Sequence, residues 1–263
     1  MFRFIAGIII LIIGKTIGTG MEMKNLQPDS SNNITTNLIL MVGLPLALSA
    51  DEFSKDYKHY LEGHTALFKS TPLLSLNLKI PVNEHLNTSY SFDYFTSYFN
   101  DNFSQATLSH GRPATRWISE NFEVTSYPFL GGIDYFPGEM PYKSYTGASV
   151  GLTVTDMNWK ETVNTEAEDD KRTGGEHIKS TFYNPTLRIV AGLELDFDRN
   201  STRDFLNSFI AEARFTYTYR YVKLFEDLKG EDEKFNEILQ NTYAVLPFCI
   251  GLYIGLSLNI GYL

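Results

Sequence analysis

The last segment of the chain alternates most regularly between apolar and polar positions. Apolar or aromatic residues occupy every even position from Phe248 to Tyr262, and mostly small or polar residues occupy the odd positions between them. Successive side chains of a β-strand point to opposite faces, whereas a helix places its apolar residues three or four apart. The pattern predicts a strand with one apolar face.

Two earlier segments show the same alternation, with charges on the second face. Apolar and aromatic residues at odd positions from Phe209 to Tyr221 alternate with Glu212 and Arg214, and the apolar odd positions of 187–197 alternate with Arg188 and Glu194. Segment 148–155 also alternates regularly, and four noisier segments lie within 35–49, 74–80, 90–98 and 122–135. The fourth segment changes phase, because Phe122 and Val124 are even while the later apolar positions are odd, which predicts a β-bulge near Ser126.

The connections between these eight segments alternate in length. Long connections cover 50–70, 101–115, 158–182 and 225–241, and short ones cover 83–86, 137–141 and 198–204. In an antiparallel meander every second connection lies at the same end, so all long connections share one end, as is typical of outer-membrane barrels. The predicted fold is all-β: an eight-stranded antiparallel up-and-down transmembrane β-barrel, with both termini on the periplasmic side.

The charged face is expected to point into the barrel, because lipid cannot solvate Glu212 or Arg214. A barrel of about eight strands has room only for its own side chains, so the interior should be packed. The predicted interior network is structural and contains Lys79, Asp93, Asp134, Arg188, Glu194, Asp196, Glu212, Arg214 and Arg220. We expect pairing between adjacent strands, of Arg214 and Glu212 with Arg188 and Glu194; a proton or ion path is the alternative.

The opposite face is expected to meet lipid and to carry aromatic girdles at the two interfaces. The predicted lipid-facing aromatic residues are Tyr90, Phe92, Tyr94, Tyr98, Phe215, Tyr217, Tyr219, Tyr221, Phe248 and Tyr262. It follows that Leu193→Lys should impair assembly more than Gly192→Ser, because only the first places a charge in lipid.

The N-terminus resembles an export signal. Residues 1–20 contain Arg3, the apolar run Ile5–Ile13 and small residues at Gly18–Gly20, which predicts a cleaved signal peptide. Residues 21–33 are then a short N-terminal periplasmic segment and residues 34–263 the barrel. The expected location is the cell outer membrane.

Composition excludes several other classes. The formal net charge of −9 argues against nucleic-acid binding, which needs a basic surface. The single cysteine, Cys249, excludes an internal disulfide and a cysteine zinc site. The long connections 158–182 and 225–241 are acidic; we interpret them as solvated external loops rather than calcium sites. No metal or cofactor is predicted.

Several stretches resemble a known family. They are YPFLGGIDYF (127–136), PYKSYTGASVGL (141–152), NPTLRIVAGLELDF (184–197), FIAEARFTYTYRYV (209–222) and CIGLYIGLSLNIGYL (249–263). Together they are similar to the small outer-membrane β-barrel proteins of Gram-negative bacteria, the OmpA-transmembrane-domain and OmpW-like group. The resemblance implies a structural protein, an adhesin-like surface protein or a narrow channel for small apolar molecules.

The leading hypothesis is a non-enzymatic outer-membrane protein with a structural or surface-interaction role. Its expected partners are outer-membrane lipid and, through the loops, lipopolysaccharide or an extracellular partner; it is expected to be a monomer. The alternatives are a passage or binding site for a small hydrophobic molecule, a soluble secreted barrel, and a lipid-modifying enzyme. The adjacent pair Ser109 and His110 is the only candidate dyad for the last.

Overall fold

The computed structural model describes residues 36–48, 69–138, 142–168, 174, 177–197, 206–219, 222–223, 242–243 and 248–260. The predicted signal peptide, the segment 21–33, Arg220, Tyr221 and Tyr262 lie outside the described residues. The barrel strands are β1 (Asn37–Leu48), β2 (Leu73–Asn83), β3 (Leu86–Ser109), β4 (Arg112–Tyr135), β5 (Tyr142–Thr165), β6 (His177–Asp196), β7 (Leu206–Thr218) and β8 (Phe248–Asn259). Two-residue strands lie at Lys69–Ser70, Val222–Lys223 and Thr242–Tyr243.

Each barrel strand pairs antiparallel with the next one, and β8 pairs with β1, so the sheet closes on itself. The predicted eight-stranded antiparallel up-and-down barrel is therefore confirmed. Among the residues placed in the structure, no helix is long and apolar enough to cross a bilayer.

Three of the strands are much longer than the sequence pattern predicts. β3, β4 and β5 each contain 24 residues. β3 and β4 meet in a two-residue turn at His110 and Gly111, whose φ angles of 48° and 78° match the hairpin turn that suits twisted strands. The prediction of a long connection over 101–115 is therefore wrong, and most of 158–182 is also strand. At about 3.3 Å per residue these strands are about 80 Å long, whereas about 9–11 residues cross a bilayer.

The predicted bulge near Ser126 is also wrong. Phe92 pairs with Phe129 and Phe95 pairs with Ser126 in one continuous register, and the pairing of β4 with β5 is unbroken. All even positions of β4 therefore face inward. The phase change in the sequence is a change in chemistry: the inward face is apolar before Ser126, and the outward face is apolar after it.

This change divides the barrel wall into two zones. The end of the barrel that holds the short turns is here called the turn end. The belt zone runs from that turn end to the level of Tyr94 and Tyr127. Its outward face is apolar and exposed, with Leu44 at 63%, Val150 at 64% and Ile254 at 58%. Further members of this apolar belt are Leu40, Val42, Leu46, Leu74, Ile133, Leu152, Leu187, Ile189, Leu193, Leu195, Ile250, Leu252 and Leu256.

The second zone, the extension, consists of residues 95–109, 112–126, 155–165 and 177–182 of β3 to β6. Its inward face is buried and mostly apolar, with Phe99, Phe103, Ile118, Phe122, Val124, Met157, Trp159 and Val163, and it also contains the buried carboxylates of Glu120 and Glu161. Its outward face is exposed and mostly polar, with Asn100, Asn102, Ser119, Asn121, Glu123, Lys160 and Lys179; Leu108 and Trp117 are exposed apolar residues on it. The extension thus has the inside-apolar arrangement of a water-soluble protein.

Candidate functional site

The interior of the belt zone contains a network of charged side chains that crosses the barrel. Its centre is Asp93 on β3, which accepts hydrogen bonds from Arg188 on β6 and, at 3.3 Å, from Arg214 on β7. All three side chains are buried. Asp93 is three strands from β6 and four from β7, so these pairs span the interior rather than joining neighbouring strands.

Both guanidinium groups have further partners. Arg188 donates to the hydroxyl oxygens of Ser91 at 2.9 Å and Thr216 at 3.2 Å. Arg214 donates to Ser75 at 2.8 Å and to the carboxylate of Glu212 at 2.5 Å. Multiple charge-assisted hydrogen bonds of this kind offset the cost of burying ions.

A second cluster lies nearer the turn end. The Lys79 ammonium on β2 is 3.0 Å from Asp134 on β4 and 3.6 Å from Glu212 on β7. Tyr145 on β5 donates a hydrogen bond to Glu212, and its ring centroid is 3.6 Å from the Lys79 nitrogen. Because Glu212 also binds Arg214, the two clusters form one continuous network.

Two tyrosines position the cations by lying over glycines of the adjacent strand. Tyr145 pairs with Gly192, and a Cβ atom on Gly192 would collide with the tyrosine ring. Tyr253 pairs with Gly43, where a Cβ atom would be 2.6 Å away, and its ring centroid is 4.0 Å from the Arg214 guanidinium carbon. Neither tyrosine was among the predicted network residues. The sequence feature that could have identified them is an aromatic residue on a strand face of otherwise small residues, opposite a glycine of the adjacent strand.

Other predicted network residues lie near the turn end. Glu194 is buried and accepts a hydrogen bond from Ser208 at 2.5 Å. Asp196 is partly exposed and lies 3.2 Å from the Lys143 ammonium. Among the described residues, the expected cross-strand pairing of Arg188 and Glu194 with Glu212 and Arg214 is not formed, because Arg188 instead reaches Asp93.

A small cavity lies at the other side of the network, where the belt zone meets the extension. Its volume is about 20 Å³, enough for one water molecule, which needs about 10–15 Å³. The lining includes Asp93, Arg188, Thr153 and Thr218 on the network side and Phe95 on the extension side. Beyond it, the inward face of the extension carries buried side chains that are mostly apolar. Among the described residues, ion pairs therefore cross the belt interior, and mainly apolar packing follows on the extension side of the cavity.

The predicted lipid-facing aromatics that the structure describes all point outward. Phe92 packs on Phe129 with ring centroids 4.9 Å apart, and Tyr94 packs on Tyr127 at 5.6 Å. Phe248 packs on Phe215 at 5.9 Å and on Tyr217 at 5.1 Å. Tyr90 lies on the outward face of the belt zone, and Tyr219 directly follows the end of β7. Tyr98 pairs with Lys69 beyond Tyr94, so it lies on the wall of the extension.

The candidate dyad lies at an exposed position. Ser109 Oγ is 3.4 Å from His110 Nδ1 at the tip of the β3–β4 hairpin. This turn joins the ends of β3 and β4 that lie away from the belt zone. Cys249 is buried and lines the small cavity beside Arg188, where it serves as a small packing residue.

Neither a protein-family model nor a curated protein matches the chain. Among solved structures it is similar to Ail, the attachment invasion locus protein of Yersinia pestis in complex with the heparin analogue sucrose octasulfate, at 12% identity, covering 86% of this chain and 98% of that chain, with a TM-score of 0.39. Neisserial surface protein A is 12% identical over 86% of this chain and 97% of that chain, with a TM-score of 0.34. A major outer membrane protein from Thermus thermophilus is 10% identical over 85% of this chain and 98% of that chain, with a TM-score of 0.36.

Proposed function

We propose that the chain is a bacterial outer-membrane β-barrel with a closed interior, and that it presents a rigid β-structured extension outside the cell in a structural or surface-interaction role. The observation that carries this proposal is the exposed apolar belt around a barrel whose buried interior is ionic. In water such a molecule would expose its most apolar surface and bury its charges, which is unfavourable on both counts.

The belt also supports the expected environment and oligomeric state. Exposed aliphatic or aromatic side chains occur on each of the eight strands, so the whole circumference of the belt zone is suited to lipid. A subunit interface would instead interrupt the belt with polar or small residues on some strands. This continuity supports contact with outer-membrane lipid on every side and a monomeric barrel.

The closed interior argues against transport as the main function. A passage for a small hydrophobic molecule would need an apolar cavity or a lateral opening. The described part of the belt interior is instead crossed by Asp93, Arg188 and Arg214, and the cavity beside them accommodates no more than a water-sized guest. The network is therefore assigned a structural role, which is to fill and fasten the barrel.

The extension supports the surface role. Its long strands hold the tip of the β3–β4 hairpin away from the belt. The backbone of this hairpin has little conformational freedom, because every residue from Phe95 to Ser109 is paired with β4. Leu108 and Trp117 near this tip are exposed by 65% and 47%. Exposed apolar residues on a projecting structure are typical of contact surfaces, so lipopolysaccharide or an extracellular partner is expected to bind here or at the adjacent loops.

Location and orientation can be tested by labelling intact cells. In a Cys249→Ala background, Ser104→Cys places a thiol on the outward face of the extension and Glu84→Cys places one in a turn at the opposite end. A membrane-impermeant maleimide should label the Ser104→Cys variant on intact cells, and the Glu84→Cys variant only after the outer membrane is opened.

Membrane insertion is checked on the same samples by gel mobility before and after boiling in detergent. A folded barrel should migrate differently until heat unfolds it. Labelling of both thiols in intact cells, or recovery of the protein in the soluble fraction, would contradict the proposal.

A further inference from the structure

Near the turn end, five oxygen-bearing side chains form one patch on the interior wall, here called the oxygen patch. It consists of Glu194 and Asp196 on β6, Ser208 on β7, Ser257 on β8 and Asn37 on β1. Asp196 pairs with Ser208, and Ser208 pairs with Ser257, so three of the members stand in a row across three strands. Asn37 pairs with Asn259, the next inward residue of β8 after Ser257.

Several oxygens of this patch are buried without a hydrogen-bond partner. The Ser257 side chain is fully buried, and its Oγ atom has no partner. The Oδ1 atoms of Asp196 and Asn37 are also buried without a partner, although both residues are partly exposed. Polar atoms that lose their contact with water are expected to be satisfied in a folded protein. Three buried oxygens without a partner, one of them on the Asp196 carboxylate, together with the carboxylate of Glu194 point to a ligand that accepts electron pairs.

The charges of the patch point the same way. Glu194 is buried and binds the Ser208 hydroxyl, and among the described residues it forms no ion pair. Lys143 stands opposite Glu194 in the register, but its ammonium lies 3.2 Å from Asp196. Two carboxylates and one ammonium leave the patch with an excess negative charge. A carboxylate buried without a counter-charge is costly, and a bound cation would remove that cost.

We propose that the oxygen patch is a binding site for a hard metal cation, with calcium as the best match. Carboxylate, hydroxyl and amide oxygens are the donors that such ions prefer, and calcium accepts irregular geometry with several neutral ligands. Glu194 supplies the essential charge, and Ser208, Ser257 and Asn37 supply neutral oxygens. The Lys143 side chain is 48% exposed at the rim of the barrel, so it can turn into water when the cation enters.

The proposal is tested with terbium, a luminescent substitute for calcium, on the full chain folded in detergent. Excitation of Tyr145, which lies two residues from Lys143 on the same inward face of β5, should sensitise a bound terbium ion. We expect luminescence that saturates with terbium concentration and falls when calcium displaces the terbium. Glu194→Gln should weaken terbium binding about tenfold or more, because affinity at oxygen sites follows the number of charged ligands. The matched control, Glu123→Gln on the outward wall of the extension, should leave the affinity unchanged.

Two further variants keep the test independent of folding. Ser257→Ala removes one buried hydroxyl and should weaken binding without loss of the heat-dependent gel shift. Lys143→Gln removes the competing ammonium and should strengthen binding. Terbium binding that is equally strong in Glu194→Gln would place the ion on the acidic loops and overturn the proposal, as would the absence of any signal that calcium displaces.

Discussion

The belt zone and the extension are made of the same strands in one continuous register, yet their two faces carry opposite chemistry. On β4, Ile133 faces outward and Asp134 inward in the belt zone, whereas Glu123 faces outward and Phe122 inward in the extension. Strand geometry decides only that neighbours face opposite sides. The medium around each zone decides which side is apolar, so the switch near Ser126 marks the level at which lipid gives way to water.

The two interiors are consequently stabilised by different forces. Water surrounds the extension, so burial of Phe122 and its neighbours is driven by the hydrophobic effect. Lipid around the belt zone is as apolar as any aliphatic core, so apolar packing inside would gain little over exposure to lipid. Ion pairs and hydrogen bonds, for which lipid offers no substitute, hold the belt interior together. Matched substitutions in the two zones should therefore have different effects.

The largest effect is expected for Asp93→Ala. This change leaves the buried Arg188 and Arg214 without their shared carboxylate, which should lower the free energy of unfolding by about 5 kcal/mol. Urea unfolding of the barrel in detergent, followed by gel mobility, measures the loss. Asn102→Ala is the control on the same strand: Asn102 is exposed on the outward face of the extension and should change stability by less than about 0.5 kcal/mol. Equal losses for the two variants would mean that the network does not stabilise the barrel.

The next largest effect is expected for alanine substitutions in two aromatic pairs between β3 and β4. Phe122 packs inward on Phe99 with ring centroids 5.3 Å apart, and Phe129 packs outward on Phe92 at 4.9 Å. Phe122→Ala should destabilise the extension by about 4 kcal/mol, because it opens a cavity in a core surrounded by water. Phe129→Ala should cost about 1 kcal/mol, since lipid fills the space.

Limited proteolysis of whole cells measures this difference. Phe122→Ala should expose the extension to cleavage while the belt zone keeps its heat-dependent gel shift. Cleavage of both variants at the same rate would show that the two interiors respond alike.

The sequence predicted the belt zone well and the extension poorly, for a physical reason. Where the outward face is apolar and the inward face polar, as on β6 to β8, alternation identifies both the strand and its faces. Near Ser126 the apolar positions shift from even to odd. A one-residue bulge and a change of the surrounding medium both produce this shift, so the sequence pattern alone does not distinguish them. The pairing partners were also beyond prediction: Arg188 reaches Asp93 across the interior, which depends on the register of all the strands between them. Phe95 interrupted the pattern around Asp93 because the extension begins there.

A smaller effect is expected for a lysine placed on the outward face. Ile189 lies in the middle of the belt on β6, and Ile189→Lys should cost about 3 kcal/mol by placing a charge in lipid. Ser119→Lys, on the outward face of the extension, should cost less than about 0.5 kcal/mol. Lys179 already occupies an outward, exposed position of β6 in the extension. Folding yields into lipid vesicles compare the two variants; tolerance of Ile189→Lys would contradict the assignment of the belt.

The smallest effect tests the contact of Tyr145 with Gly192. The sequence predicted that Gly192→Ser is milder than Leu193→Lys, but any side chain at Gly192 meets the Tyr145 ring. Gly192→Ala should therefore cost about 2 kcal/mol through overpacking. Gly138→Ala, where an added Cβ atom has no neighbour within 4 Å, is the control and should be nearly neutral. Urea unfolding measures both, and combining Gly192→Ala with Tyr145→Ala separates crowding from backbone effects. If the ring is the obstacle, Gly192→Ala adds no further loss once Tyr145 is truncated; an undiminished loss would assign the cost to the strand itself.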